Sequence, residues 1–209
     1  MTFAFLLNIS LIVVVLLFSM VLHEVAHGYV AWLNGDPTAR LSGRITLNPI
    51  PHIDPINTVL LPLFLLIVKS PFIFGAARPV PVNPSYFRNY RVGEITTSLA
   101  GSATNLVLAV FFAYLLRLNL GGPGLELLAY YGFLFNVILA VFNLLPIPPL
   151  DGSHIVAVFL PYRWAQYYRA LEPYCLVIII GLYFTGLLWM IFRPIYRLIA
   201  AILQVPLVF

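Results

Sequence analysis

The chain has 209 residues, of which 62% are hydrophobic and 9% charged, with a formal net charge of +4. A soluble globular domain carries about a quarter charged residues, so the composition excludes that class and predicts an all-α polytopic membrane protein. The length suits one compact bundle over residues 1–209 with no added soluble domain. The positive charge is dispersed, with no basic run or interleaved aromatics of the nucleic-acid-binding type, and the single cysteine, Cys175, excludes an internal disulfide.

In chain order, Phe3 to Leu22 is almost wholly apolar, and the pattern predicts a first core helix over about 3–33. It lacks the positively charged start of a signal peptide and reads as retained. Asn34-Gly35-Asp36-Pro37 stops it, with Gly35 as C-cap. Residues 38–50 alternate polar and apolar around Ser42-Gly43, predicting short membrane-associated β-strands or a hairpin. The apolar stretch 56–69 is short for a span and is interrupted by Pro62. Residues 71–84 are proline-rich and read as an edge strand or loop. Further core helices are expected over about 93–118 and 125–160, the latter broken at Pro146-Ile147-Pro148-Pro149. A polar-aromatic link over 161–170 leads to a last span near 171–192, and the tail 193–209 reads as interfacial.

Charge decides between two topologies. If 56–69 crosses fully, the Lys and Arg residues split five (40, 44, 117, 193, 197) against six (69, 78, 88, 91, 163, 169). If it dips in and returns, the split becomes eight (40, 44, 69, 78, 88, 91, 163, 169) against three (117, 193, 197). The positive-inside rule selects the second. The expectation is therefore about four transmembrane helices plus a re-entrant or interfacial segment, with the N-terminus outside and the catalytic loops toward the cytoplasm. Trp32, Tyr162 and Trp164 serve as interfacial anchors.

The chemistry concentrates at His23-Glu24-Val25-Ala26-His27. Histidines at i and i+4 lie about 40° apart around a helix, so both imidazoles reach one metal ion. Glu24, about 100° round from His23, can contact a water beside that metal without being a ligand. This is the HExxH arrangement of a zinc hydrolase, with the glutamate as general base. Ionisable groups at this depth are costly without partners, which also points to a site. A catalytic zinc takes three protein ligands and leaves one position open. The candidates are His52, Asp54, Asp151 and His154. Asp151 is preferred, because it follows a proline-broken helix in the apolar core, where a carboxylate needs a strong partner; capping the next helix is a compatible role.

HExxH in the first core helix, the small-residue run Leu99-Ala100-Gly101 with Asn105, and Asn143-Leu144-Leu145-Pro146-Ile147-Pro148-Pro149-Leu150-Asp151-Gly152 together resemble the site-2 protease family (peptidase M50) of intramembrane zinc metalloproteases. The resemblance covers nearly the whole chain and is strongest to the small bacterial and archaeal members without a PDZ or CBS domain. PHIDPI (51–56) and ARPVPVNPSYFRN (77–89) resemble that subgroup too. It implies one Zn2+ per chain held by His23, His27 and Asp151, with Glu24 as catalytic base and Asn143 near the substrate or developing oxyanion. The family's usual Ala-Gly-Pro reads Ala100-Gly101-Ser102 here, a departure that bears on local helix geometry. The implied activity is regulated intramembrane proteolysis of single-span membrane proteins in the lipid bilayer.

Bland readings stand beside these. His52 and Asp54 read as turn residues between prolines, Gly101 as a packing glycine, and His154 and Asn105 as either site-supporting or packing residues. Two other functions remain open: a metal-ion permease, in which Glu24 would be a ligand, and a non-catalytic membrane scaffold. A zinc protease of the CAAX type would need a glutamate ligand, and Glu94, Glu126 and Glu172 lack any accompanying motif.

Overall fold

The structure, a computed structural model, describes residues 3–60, 63, 64, 75, 77–118 and 121–205. Helix α1 spans Phe3–Leu33, and a four-residue α2 spans Thr38–Leu41. Two long helices follow, α3 over Tyr90–Leu118 and α4 over Pro123–Asn143. Shorter ones complete the chain: α5 Asp151–Phe159, α6 Tyr162–Arg169, α7 Cys175–Phe184 and α8 Leu187–Leu203.

Helix α1 ends as its sequence dictates. Gly35 sits at φ +111°, Asp36 N–H donates to Ala31 O and Gly35 N–H to Trp32 O, each at 3.0 Å. This 6→1 and 5→2 pair satisfies carbonyls that the last turn would otherwise orphan. Helix α3 begins one turn before the expected position, because the Asn89 side chain accepts from Val92 N–H at 3.1 Å and caps it.

The molecule is apolar outside and partly polar within. Val107, Val110, Phe111 and Tyr114 on α3 are exposed, while Ser98, Ser102 and Asn105 on the same helix are buried. Ala109, Phe112 and Ala113 of α3 pack on Ala129, Phe133, Val137 and Val141 of α4. Gly132 lets this pair close, since a Cβ there would overlap the Phe112 ring. Where α1 meets α4, buried Asn136 donates to Ser19 Oγ at 2.8 Å; such interhelical bonds average about 0.6 kcal/mol in membranes. Three helices are long and apolar enough to cross a membrane (Leu6–Leu33, Tyr90–Leu118 and Pro123–Asn143). A fourth span results if Tyr162–Phe184 and Leu187–Leu203, bent by 76°, count as one.

Two expectations need correction. There is no strand among the described residues, so the short membrane-associated β-strands over 38–50 are absent. The Asp36 carboxylate accepts from Thr38 N–H at 2.9 Å and from the Thr38 hydroxyl, which starts a helical turn in place of a strand. The last span, expected near 171–192, divides at Gly186, where φ is +76°. The tail, expected at the interface, packs one face inward through Ile195, Tyr196, Ile199 and Ala200 of α8. The proposed re-entrant stretch 56–69 lies largely outside the described residues, and Pro55–Leu60 forms one π-helical turn. Within the proline-rich stretch, 77–83 runs without helix or strand.

Asp36 ties these pieces together. Fully buried, it also accepts from Asn83 N–H at 2.6 Å through its second oxygen. Asp36→Ala takes the acceptor from three partly buried donors, and a loss of roughly 2–3 kcal/mol is expected. A lowered thermal denaturation midpoint in detergent, with metal binding retained, is the measurement that checks it.

Candidate active site

Two helix faces and one proline-broken turn build the site. In α1, His23 and His27 project from the same face, their rings edge to face with centroids 4.5 Å apart. Helix α3 lies against them, and three of its residues at successive i+4 positions meet the pair. His27 Nδ1 donates to Thr97 O at 2.7 Å, and His23 Nδ1 lies 3.1 Å from the Asn105 carboxamide. Between them, Gly101 offers only backbone, since a Cβ there would overlap both imidazoles.

Asp151 arrives from the other side. The backbone folds through Leu145 N–H to Phe142 O at 3.1 Å, then Ile147 N–H to Leu145 O and Leu150 N–H to Ile147 O at 2.8 Å each. Gly152 packs against the Leu144 carbonyl, where a Cβ would not fit. Asp151 is thus set at the first residue of α5, with no side-chain capping bond there. Its Oδ2 lies 3.3 Å from His23 Nε2 and 3.3 Å from His27 Nε2, and the two nitrogens are 2.9 Å apart.

This triangle fits a metal ion. Nitrogen and oxygen ligands about 2.0–2.2 Å from a tetrahedral zinc stand about 3.3–3.6 Å from each other; both Asp151 separations, 3.3 Å, fit this, and the two nitrogens, 2.9 Å apart, sit somewhat closer. Asp151 Oδ2 is buried and lacks a hydrogen bond of acceptable geometry. An ionised oxygen so placed is costly unless a cation joins the group. The hydrogens agree. Since Thr97 O can only accept, His27 carries its hydrogen on Nδ1 and presents a lone pair at Nε2. His23 presents one likewise when its Nδ1–H donates to the Asn105 oxygen. Asn105 Oδ1 is buried without a partner, and a half-turn of the amide brings it to face that nitrogen.

Glu24 stands beside the triangle, not in it. Its Oε2 accepts from Val80 N–H at 2.8 Å. The only group of three or more metal-binding side chains among the described residues is His23, His27 and Asp151.

The other candidates lie elsewhere. His154 Nδ1 is 3.3 Å from Glu94 Oε1, pairing a half-exposed histidine with a buried glutamate of α3. Asn143 donates to Leu139 O at 2.9 Å, one turn back in its own helix. Buried His52 has Nε2 3.0 Å from Thr46 O. Asp54 Oδ1 accepts from Asn57 N–H at 2.9 Å and Ile56 N–H at 2.8 Å, which holds its carboxyl below the usual range. Sequence reasoning missed Thr97 O and Val80 N–H, since backbone groups leave no residue-type signature, and read Gly101 as packing alone.

Two histidines and a carboxylate at ligand spacing, a second carboxylate alongside, and helices of membrane length define a membrane metallohydrolase. Similarity to known proteins narrows this class. The model of peptidase family M50 matches residues 119–184, a stretch that contains Asn143 to Gly152. A Bacillus subtilis (strain 168) protein named "Putative zinc metalloprotease YwhC" is 36% identical over 211 residues, covering 92% of each chain. A Mycolicibacterium smegmatis relative named "Putative zinc metalloprotease Rip2" is 34% identical over 161 residues, 75% of this chain and 59% of its own length. A Methanocaldococcus jannaschii relative with the same description, MJ0611, is 36% identical over 95 residues, 44% of this chain and 49% of its own. No solved structure matches. The chain therefore belongs to peptidase family M50, the site-2 proteases, and is a metalloendopeptidase of the membrane.

Proposed function

We propose that this protein is an intramembrane zinc protease that hydrolyses peptide bonds within or near the transmembrane segments of single-span membrane proteins, in regulated intramembrane proteolysis. The observation that carries the reading is the convergence of His23 Nε2, His27 Nε2 and Asp151 Oδ2 in a chain with three helices of membrane length. Those three residues would hold one zinc ion, which would supply Lewis acidity toward water and a peptide carbonyl. Glu24 takes a proton from the attacking water and passes it to the leaving amine nitrogen. Thr97 O and Asn105 keep the two imidazoles oriented with Nε2 toward the site. The substrate helix must unwind locally, because peptide groups inside a helix are already hydrogen-bonded. Asn143 near the substrate, the N-terminus outside and the site toward the cytoplasmic face complete the proposal, the last two supported by the eight-to-three charge split.

The test is cleavage of a single-span substrate in liposomes by the purified protein, with products mapped by mass spectrometry. Cleavage inside or at the edge of the apolar segment is expected, lost on chelation and restored by zinc. Cuts confined to the soluble tails, or chelator-insensitive cuts, would overturn it.

A further inference from the structure

Three buried polar residues outside the triangle all serve one stretch of chain. Arg44, 8% exposed, directs Nη2 at Arg78 O (2.6 Å) and Pro79 O (3.3 Å). His52, 2% exposed, accepts from Arg78 N–H through its backbone carbonyl at 2.9 Å. Asp36, 0% exposed, holds Asn83 N–H. Arg44 Nε and His52 Nδ1 stay without a partner, but the bonds that do form pin 78–83 from both ends. Between the pins runs Pro79-Val80-Pro81. Proline has no N–H, so Val80 carries the one donor of the three. Pro81 also biases Val80 to extended backbone. That donor meets Glu24 Oε2 at 2.8 Å, and the buried Val80 side chain lies against Gly28, one turn beyond Glu24.

We infer that Arg78–Asn83 is a fixed mount for the general base, in which the Val80 N–H engages one oxygen of Glu24 and leaves the other for the proton. Val80, through its backbone, and Arg44, through the carbonyls it holds, are positioning residues for catalysis. A glutamate has several rotatable bonds, and a misplaced reacting group slows the reaction even when binding is intact. The mount removes that freedom with an N–H that is itself immobilised. A lid would require 78–83 to lift away, whereas Arg44, Asp36 and His52 hold it at both ends with partly buried bonds. The inference rests on Glu24 being the base, as proposed above.

The experiment compares Val80→Ala, which keeps the N–H, with Val80→Pro, which removes it, and Arg44→Lys with Arg44→Ala, all in the full-length zinc-loaded protein. Val80→Pro and Arg44→Ala are expected to lose about 10–100-fold in kcat, with little change in KM and zinc stoichiometry maintained. Val80→Ala and Arg44→Lys fall distinctly less than their partners. Equal loss in Val80→Ala and Val80→Pro, loss carried by KM, or a rise in activity on removing the N–H would overturn the mount. Hydrogen exchange at the Val80 amide, followed by NMR on 15N-valine-labelled protein, reads the contact without any cleavage. Protection in the wild type that is lost in Glu24→Ala is expected, and an unprotected wild-type amide refutes the inference. A wild type that does not cleave would sink the proteolytic reading, while the Val80 amide still decides whether the mount exists.

Discussion

Glu24→Gln is expected to lower peptide cleavage by about 10²–10⁴-fold, the range for removing a general base, and to leave zinc bound. Glutamine keeps the length of the side chain and an oxygen for Val80 N–H, which lies 2.8 Å from Glu24 Oε2. What it cannot do is take a proton from water. The metal-binding group consists of His23, His27 and Asp151 without Glu24, so its donors survive the change. Asp151→Ala differs in kind: it removes an oxygen 3.3 Å from both histidine nitrogens, and zinc and cleavage are expected to disappear together. Metal content by plasma emission, measured beside the cleavage rate on the same preparations, checks both. Loss of zinc in Glu24→Gln would make Glu24 a ligand and favour a metal-transport role.

The residues of the triangle were legible in the sequence because their signal is local. His23 and His27 are one helical turn apart, and Asp151 follows a proline run that must break a helix. The long helices were legible for the same reason, through unbroken apolar runs. What failed was everything decided by distant partners. The alternation in 38–50 resembles a strand, but a strand needs a neighbour to pair with, and no ladder forms among the described residues. Arg44 instead sends its guanidinium to the carbonyls of Arg78 and Pro79, 34 and 35 residues away. Likewise, Thr185-Gly186 sits inside an apolar run long enough to span. The break shows only in its backbone, with Gly186 in the left-handed region and Thr185 Oγ1 bonded back to Gly181 O at 2.9 Å. His154 lies three residues from Asp151, yet its partner is Glu94 on another helix.

Gly101→Ala is expected to weaken zinc binding by about 10–100-fold, the scale seen when support for metal ligands is lost, without harming the fold. Helix α3 meets the histidine pair through residues 97, 101 and 105, which share one face. Thr97 fixes His27 and Asn105 faces His23, so neither ring can swing aside without losing its partner. An alanine Cβ at 101 would come within 2.5 Å of His23 Nε2 and overlap His27 Nε2 as well. The rings must yield, and they are the ligands. Helix propensity acts in the opposite sense, since alanine is better than glycine in a helix interior by about 1 kcal/mol. That gain offsets the roughly 0.5–1.5 kcal/mol of a ring hydrogen bond given up, so the metal-free variant should unfold close to the metal-free wild type while it loses zinc more readily to a chelator. That separation is the decisive feature. A packing glycine with no bearing on the site would show the reverse, a lowered denaturation midpoint with unchanged zinc affinity, and that result would remove α3 from the account of how the metal is held.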